Sequence, residues 1–155
     1  MPAPVAIVRP EEAETVWVLG DRLRFMGAVA GTDLHVVEVT VPPGSGTPPH
    51  RHASIEIFHV TQGEVTFGMF DGGPPREVRG GPGAVVTVAS NAAHNYCNRG
   101  SASAAMLVVV QRQMRDFFAD LATPEAPPPG PPPAAAMAHI LAVCARHGVE
   151  LLPPP

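Results

Sequence analysis

Residues 44–63 read Gly44-Ser-Gly-Thr-Pro-Pro-His50-Arg-His52-Ala-Ser-Ile-Glu56-Ile-Phe-His-Val-Thr-Gln-Gly63, and the spacing of the two imidazoles and the carboxylate decides how the rest of the chain is read. Side chains two apart on an extended strand point to one face, so His50 and His52 present their rings together, roughly 6.6 Å apart along the backbone. Both can lean onto a single ion. Four further residues of straight strand would carry Glu56 about 13 Å beyond His52, whereas metal–ligand bonds are near ~2.1 Å. The chain is therefore expected to turn over 53–55, with Glu56 opening a strand that runs back beside the first. Taken alone, a His-x-His pair between prolines reads more readily as an exposed polar patch than as a ligand pair.

A second stretch shifts that balance. Residues 83–98, Gly83-AVVTVAS-Asn91-AA-His94-N-Tyr96-C-Asn98, supply a further histidine on a β-rich run, with Tyr96 and Asn98 on its face. Three histidines and one glutamate form a borderline-to-hard donor set. It suits one divalent Fe(II), Ni(II), Mn(II), Co(II), Cu(II) or Zn(II) ion per chain and argues against a thiolate site. Four protein ligands on an ion that takes five or six leave room for water, substrate or dioxygen.

Outward from these two stretches, residues 17–110 are short β-rich runs punctuated by Gly and Pro, at 16–19, 22–29, 34–41, 55–60, 64–70, 76–79, 84–88, 94–98 and 104–110. No helical periodicity competes, so the expected class is all-β, a sandwich or barrel. Alternation turns Val37, Val39 and Val41 inward on one strand and Val65, Phe67 and Met69 on another. The run 105–110 does not alternate, which predicts cover on both sides, by a helix or a second chain. Beyond it, 112–122 reads as a helix that stops at Pro124, and 124–133 as a stiff polyproline-like spacer. Residues 134–147 read as an amphipathic helix with Met137, Ile140, Leu141 and Cys144 on one stripe and Gly148 as its stop. The expected division is 1–112 for the barrel and 113–155 for the tail.

Residues 44–63 match the first motif of the cupins at every defined position, and residues 83–98 resemble the second, with Ala89 where the family usually has Pro and Asn91 where it usually has Gly. Both departures are mild: Asn tolerates positive φ best among non-glycine residues, and losing a Pro costs mainly turn rigidity. The resemblance implies a double-stranded β-helix, a jelly-roll barrel with C-terminal α-helices, holding its metal through His50, His52, Glu56 and His94. More loosely, the chain is similar to small single-domain cupins described as quercetin dioxygenase-like. That resemblance implies Glu56 as the catalytic base toward an enol or phenol.

Parity places Phe58, Phe67, Met69 and Tyr96, with Phe25 and Met106, around the cavity as candidate substrate contacts, and apolar walls suit an aromatic or polyketide-like small molecule. His59 should face outward, His35, His139 and His147 should meet solvent, and Arg51 should point away from the ion. Trp17 is expected as a half-buried anchor of the first strand. The two cysteines, Cys97 and Cys144, give no disulfide framework and read as reduced and structural. All ten basic residues are Arg, scattered in a chain of net charge −4, which excludes a phosphate-tracking stripe and so nucleic acid. Lysine is absent, so no Schiff base is available; the Ala, Gly, Pro and Arg bias suggests a high-GC bacterial source. No apolar run nears the roughly 20 residues of a membrane span, and a cytoplasmic homodimer is expected. Three functional classes follow: a dioxygenase, a non-oxidative cyclase, isomerase or dehydratase of natural-product assembly, and a non-catalytic metal or small-molecule binder.

Overall fold

β-Branched residues alternating with polar ones set the architecture of this protein, a computed structural model describing residues 3–153. The strands are β1 (Thr15–Val18), β2 (Asp21–Ala28), β3 (Leu34–Val41), β4 (His50–Arg51), β5 (Glu56–Gln62), β6 (Val65–Met69), β7 (Arg76–Gly80), β8 (Val85–Val88), β9 (His94–Cys97) and β10 (Ala104–Gln111). Two helices follow, α1 (Arg112–Leu121) and α2 (Ala134–His147), then a short strand β11 (Glu150–Leu151). They form two antiparallel sheets, ordered β1-β2-β3-β10-β5-β8 and β11-β4-β9-β6-β7. The two face each other as the expected all-β jelly roll with C-terminal helices.

The core is the inner face of both sheets. Phe25, Val37, Val108, Phe58 and Val86 lie opposite one another in turn across β2, β3, β10, β5 and β8. Val37, Val41, Val60, Val65 and Val110 are fully enclosed. Each such valine contributes about 1.5–3 kcal/mol by leaving water. A neighbouring row, His35, Val110, Glu56 and Val88, carries one of the proposed ligands.

Two expectations are corrected here. Glu56 does not start a strand beside β4. β4 pairs with β9 and β11, whereas β5 pairs with β10 and β8 in the opposing sheet, so residues 52–55 cross the sandwich. Facing sheets lie about 10 Å apart, so ligands from both can meet between them without a hairpin. On α2 the docked face comprises Ile140, Val143, Cys144 and His147, while Met137 and Leu141 stay 41% and 48% exposed. That helix is apolar nearly all round, and the contact of His147 Nε2 with Asp120 of α1, at 2.9 Å, helps select its rotation. His147 is thus an interhelical contact rather than a solvent-facing residue.

α1 buries Met114, Phe117 and Leu121, spaced as one helical face. After it, Thr123 exchanges two backbone hydrogen bonds of 2.8 Å with Trp17, which is half-buried as expected. α2 ends at Gly148 with φ 70°, the left-handed stop that the sequence predicts. The chain then returns to the barrel: Leu151 pairs with His50 and Glu150 with Arg51, so the tail crosses the expected division at 112. The outward row of β10 stays open, with Leu107 38% exposed. Cys97 and Cys144 are both free.

Candidate metal centre

His50 and His94 lie directly opposite on β4 and β9, their ring centroids 4.4 Å apart. His52 follows β4, and Glu56 enters from the facing sheet as the first residue of β5. All four side chains are buried, and one ligand atom from each lies within 4.8 Å of all the others. Two opposed bonds of ~2.1 Å span about 4.2 Å, so the set needs only slight contraction around an ion.

The histidines are oriented by their own loops. Nδ1 lies 2.8 Å from Pro48 O in His50, 2.9 Å from Ser54 O in His52 and 2.8 Å from Ala92 O in His94. A carbonyl only accepts, so each Nδ1 carries a proton and donates, and each ring turns its Nε2 to the centre. Nε2 of His52 is 2.5 Å from Glu56 Oε1, and that of His94 is 3.6 Å away. Lone pairs facing a carboxylate at such range need a proton or a cation between them. Nε2 of His52 and of His94 are indeed buried without a hydrogen-bond partner among the described residues. The donor set therefore fits a divalent ion.

Charge follows the same geometry. Burial alone would push Glu56 up, but the imidazoles of His52 and His94 facing it outweigh burial and hold the carboxyl at about 2. Burial and the neighbouring His94 hold His50 at about 4, so it is neutral at neutral pH. Burial lowers His94, yet the facing Glu56 carboxylate more than reverses this, and it is raised. A proton on this cluster is the natural competitor of a metal.

The crossing that delivers Glu56 is held by residues that the sequence did not single out. Ser54 N–H donates to Gln113 Oε1 at 2.6 Å, Ile55 N–H to Gln111 Oε1 at 3.0 Å, and Gln111 N–H to Ser54 Oγ at 2.9 Å. Gln113 Nε2 also donates to His147 O at 2.8 Å, joining the crossing to α2. Their only sequence signal is amide side chains just after an apolar strand. Asn91 adopts φ 62°, as its tolerance of positive φ predicts, and its N–H donates to His52 O at 2.7 Å. Asn98 is buried and donates to Val41 O and Ala102 O, closing the loop after β9.

A cavity of about 710 Å³ opens beside His94, with walls including Phe67, Met69, Phe70, Val86 and Val88; Arg51 and Arg76 border it. The structure thus separates the six candidate substrate residues. Phe67 and Met69 line this cavity. Phe58 and Met106 are 2% and 0% exposed and belong to the core. Tyr96 gives its hydroxyl to buried Asp21, which also accepts from Ser45 Oγ at 2.6 Å. Phe25 lies in a different cleft, with the Arg115 guanidinium over its ring at 5.1 Å. Alternation assigns a face but not a depth, and the inner face continues well past the ligands. His59 and His139 are exposed as expected, but His35 is half-buried because it shares the inward parity of Val37. Arg51 approaches Glu150 at 3.9 Å and lies outside the ligand cluster, while bordering the cavity.

Residues 37–110 match the family profile described as the cupin domain. Over that stretch, just under half of the chain, the protein resembles a cupin domain. An RmlC-like cupin from Shewanella frigidimarina superposes with TM-score 0.62 at 17% identity, over 73% of this chain and 96% of that one. A predicted oxalate decarboxylase from Thermotoga maritima gives TM-score 0.55 at 22% identity, over 68% and 98%. A cupin-superfamily sugar phosphate isomerase from Silicibacter pomeroyi gives 0.51 at 28% identity, over 60% of each chain. The chain spans that 60% of the isomerase and 42% and 51% of two oxalate oxidases that it also matches. No curated protein matches it by sequence. Among the described residues no helix is long and apolar enough to cross a membrane.

Proposed function

We infer that this cupin is a metal-dependent dioxygenase acting on an enolic or phenolic aromatic small molecule. The observation that carries this reading is a buried three-His, one-Glu cluster, one member of which, His94, lines an apolar cavity of about 710 Å³. Held by His50, His52, Glu56 and His94, a divalent ion would supply Lewis acidity and, where redox-active, electron exchange with dioxygen. The residues do the rest. Phe67, Met69, Phe70 and Val88 give an aromatic ring apolar contacts. Glu56, the one carboxylate of the cluster, would take the hydroxyl proton of a substrate bound at the ion. The carbonyl-anchored imidazoles keep their orientation while it does so.

A non-oxidative reading, isomerisation or cyclisation of an enolisable substrate, is supported by the likeness to a protein described as a sugar phosphate isomerase. Oxygen separates the two. Protein loaded in turn with each of the six metals is given flavonol and enol substrates in air and under argon; turnover should require air and consume oxygen in step with substrate. Equal rates under argon would refute the dioxygenase reading and favour the isomerase. His52→Ala should abolish both metal retention and turnover. A cytoplasmic homodimer accompanies this proposal, built on the open outer face that carries Leu107, Ile57 and Val85.

A further inference from the structure

Away from the metal centre, a second cleft of about 380 Å³ lies between the β2–β3 hairpin and the first half of α1. Its walls are Phe25, Gly27, Ala28, His35 and Val36 on one side and Arg112, Arg115 and Asp116 on the other, and it shares no lining residue with the cavity beside His94. Its volume falls at the small end of ligand sites, which run from about 300 to 1,000 Å³.

Three groups in it are chemically unspent. Arg112 has no hydrogen bond or ion pair among the described residues, and Arg115 has only a 3.6 Å approach to its neighbour Asp116. Three residues apart on a helix, the two guanidinium groups share one face. His35 Nε2 is buried and has no partner among the described residues, a condition that costs about 1–3 kcal/mol until something meets it. The field is net positive despite Asp116 and Asp33: after burial, Arg115 and Arg112 are the leading influences that push His35 down, ahead of the two carboxylates that push it up. The first turn of α1 adds its own partial positive charge. Phe25 supplies an apolar plane, and the Arg115 guanidinium resting over it keeps its N–H donors free for an anion.

We propose that this cleft is a second ligand site, one that takes a small aromatic carboxylate. Arg112 and Arg115 hold the carboxylate, His35 donates Nε2–H to it, and the ring packs against Phe25 and Val36. Inorganic phosphate lacks the apolar body that half of the cleft would enclose. The site stands on the strand row of Glu56, since Val110 pairs with both His35 and Glu56. It is nonetheless two strands away, about 9–10 Å.

Benzoate titrated into the metal-stripped full chain, followed by backbone amide shifts, tests this without contribution from a bound ion. Saturable shifts are expected at Gly27, Ala28, Val36 and Arg112. Arg112→Gln and Arg115→Gln should each weaken binding about 10-fold or more, as loss of a charge-assisted hydrogen bond does. His35→Gln, which keeps a donor of similar reach, should weaken it less. Benzyl alcohol should give no saturable shift, and inorganic phosphate should bind at least about 10-fold more weakly than benzoate. Shifts that do not saturate, shifts centred on residues 92–95, or arginine variants that bind as well as the parent would overturn the site. Phosphate binding as tightly as benzoate would overturn the aromatic carboxylate. Arg112 is exposed, so its variant should keep the fold, checked by an otherwise unchanged spectrum.

Discussion

Gln113→Ala removes one side chain that touches three parts of the molecule. Gln113 Oε1 accepts from Ser54 N–H at 2.6 Å, and its Nε2 donates to His147 O at 2.8 Å. Two hydrogen bonds are lost at about 1 kcal/mol each, and the Ser54 amide, in a residue only 1% exposed, is left without its acceptor at a further ~1–3 kcal/mol. A total near 3–5 kcal/mol should lower the melting temperature by about 6–20 °C for a chain of this size. The same change loosens the crossing between His52 and Glu56, so metal affinity should fall about 10- to 100-fold, the usual effect of losing an outer partner of a ligand. Competition for Zn(II) against a chromogenic chelator, with melting curves of the metal-free protein, measures both quantities. Gln113→Glu separates them, because it keeps the acceptor for Ser54 and loses only the donor to His147; it should retain more of the affinity. If Gln113→Ala binds zinc as tightly as the parent, the crossing is not held from α1 and the reasoning fails.

Acid should destabilise the metal-free protein in two overlapping steps. His50 lies at about 4 against an ordinary 6.5, so its contribution is complete above pH 6.5 and is lost as pH falls to 4. Glu56 lies at about 2 against 4.5, so its share is lost between pH 4.5 and 2. His94, raised, has its contribution complete below pH 6.5 and offsets neither loss within that window. Melting temperatures that stay flat from pH 6.5 to 3 would contradict these assignments. Ending the chain after His147 deletes β11 and should speed zinc release about 10-fold, read by stopped-flow chelation; unchanged release would mean that the tail does not support His50. Leu107→Glu should convert a dimer to a monomer in sedimentation velocity, and a parent that is monomeric at every concentration removes the dimer.

The four candidate ligands were legible because parity and spacing are local: His50, His52 and Glu56 need one crossing, and His94 lies opposite His50. The direction of that crossing was not legible, since a hairpin and a change of sheet bring Glu56 to the same ion and differ only in tertiary pairing. α2 was legible as a helix but not in rotation, because Met137 and Leu141 are as apolar as the residues that it buries. The wall of the cavity was half legible. Phe67 and Met69 followed from alternation, but whether an inward side chain sits beside the ligands or deep in the core, like Phe58 and Met106, depends on where along the barrel the ion lies. The partner of His147 lies on another helix, and a two-residue strand such as β11 carries too few residues to show a period.

The short pairing of β11 with β4 has a consequence in time. His50 lies 101 residues before its partner Leu151 (151 − 50), and at about 5–20 residues per second the ribosome needs roughly 5–20 s to supply the second after the first. For that interval one edge of the His50 strand has open amides and carbonyls, and in its second half His94 and Glu56 have already been made. A nascent chain that captures an ion early therefore does so in a half-bordered site and can exchange it freely. The choice of metal would then be settled late, against whatever the cell offers when the tail closes.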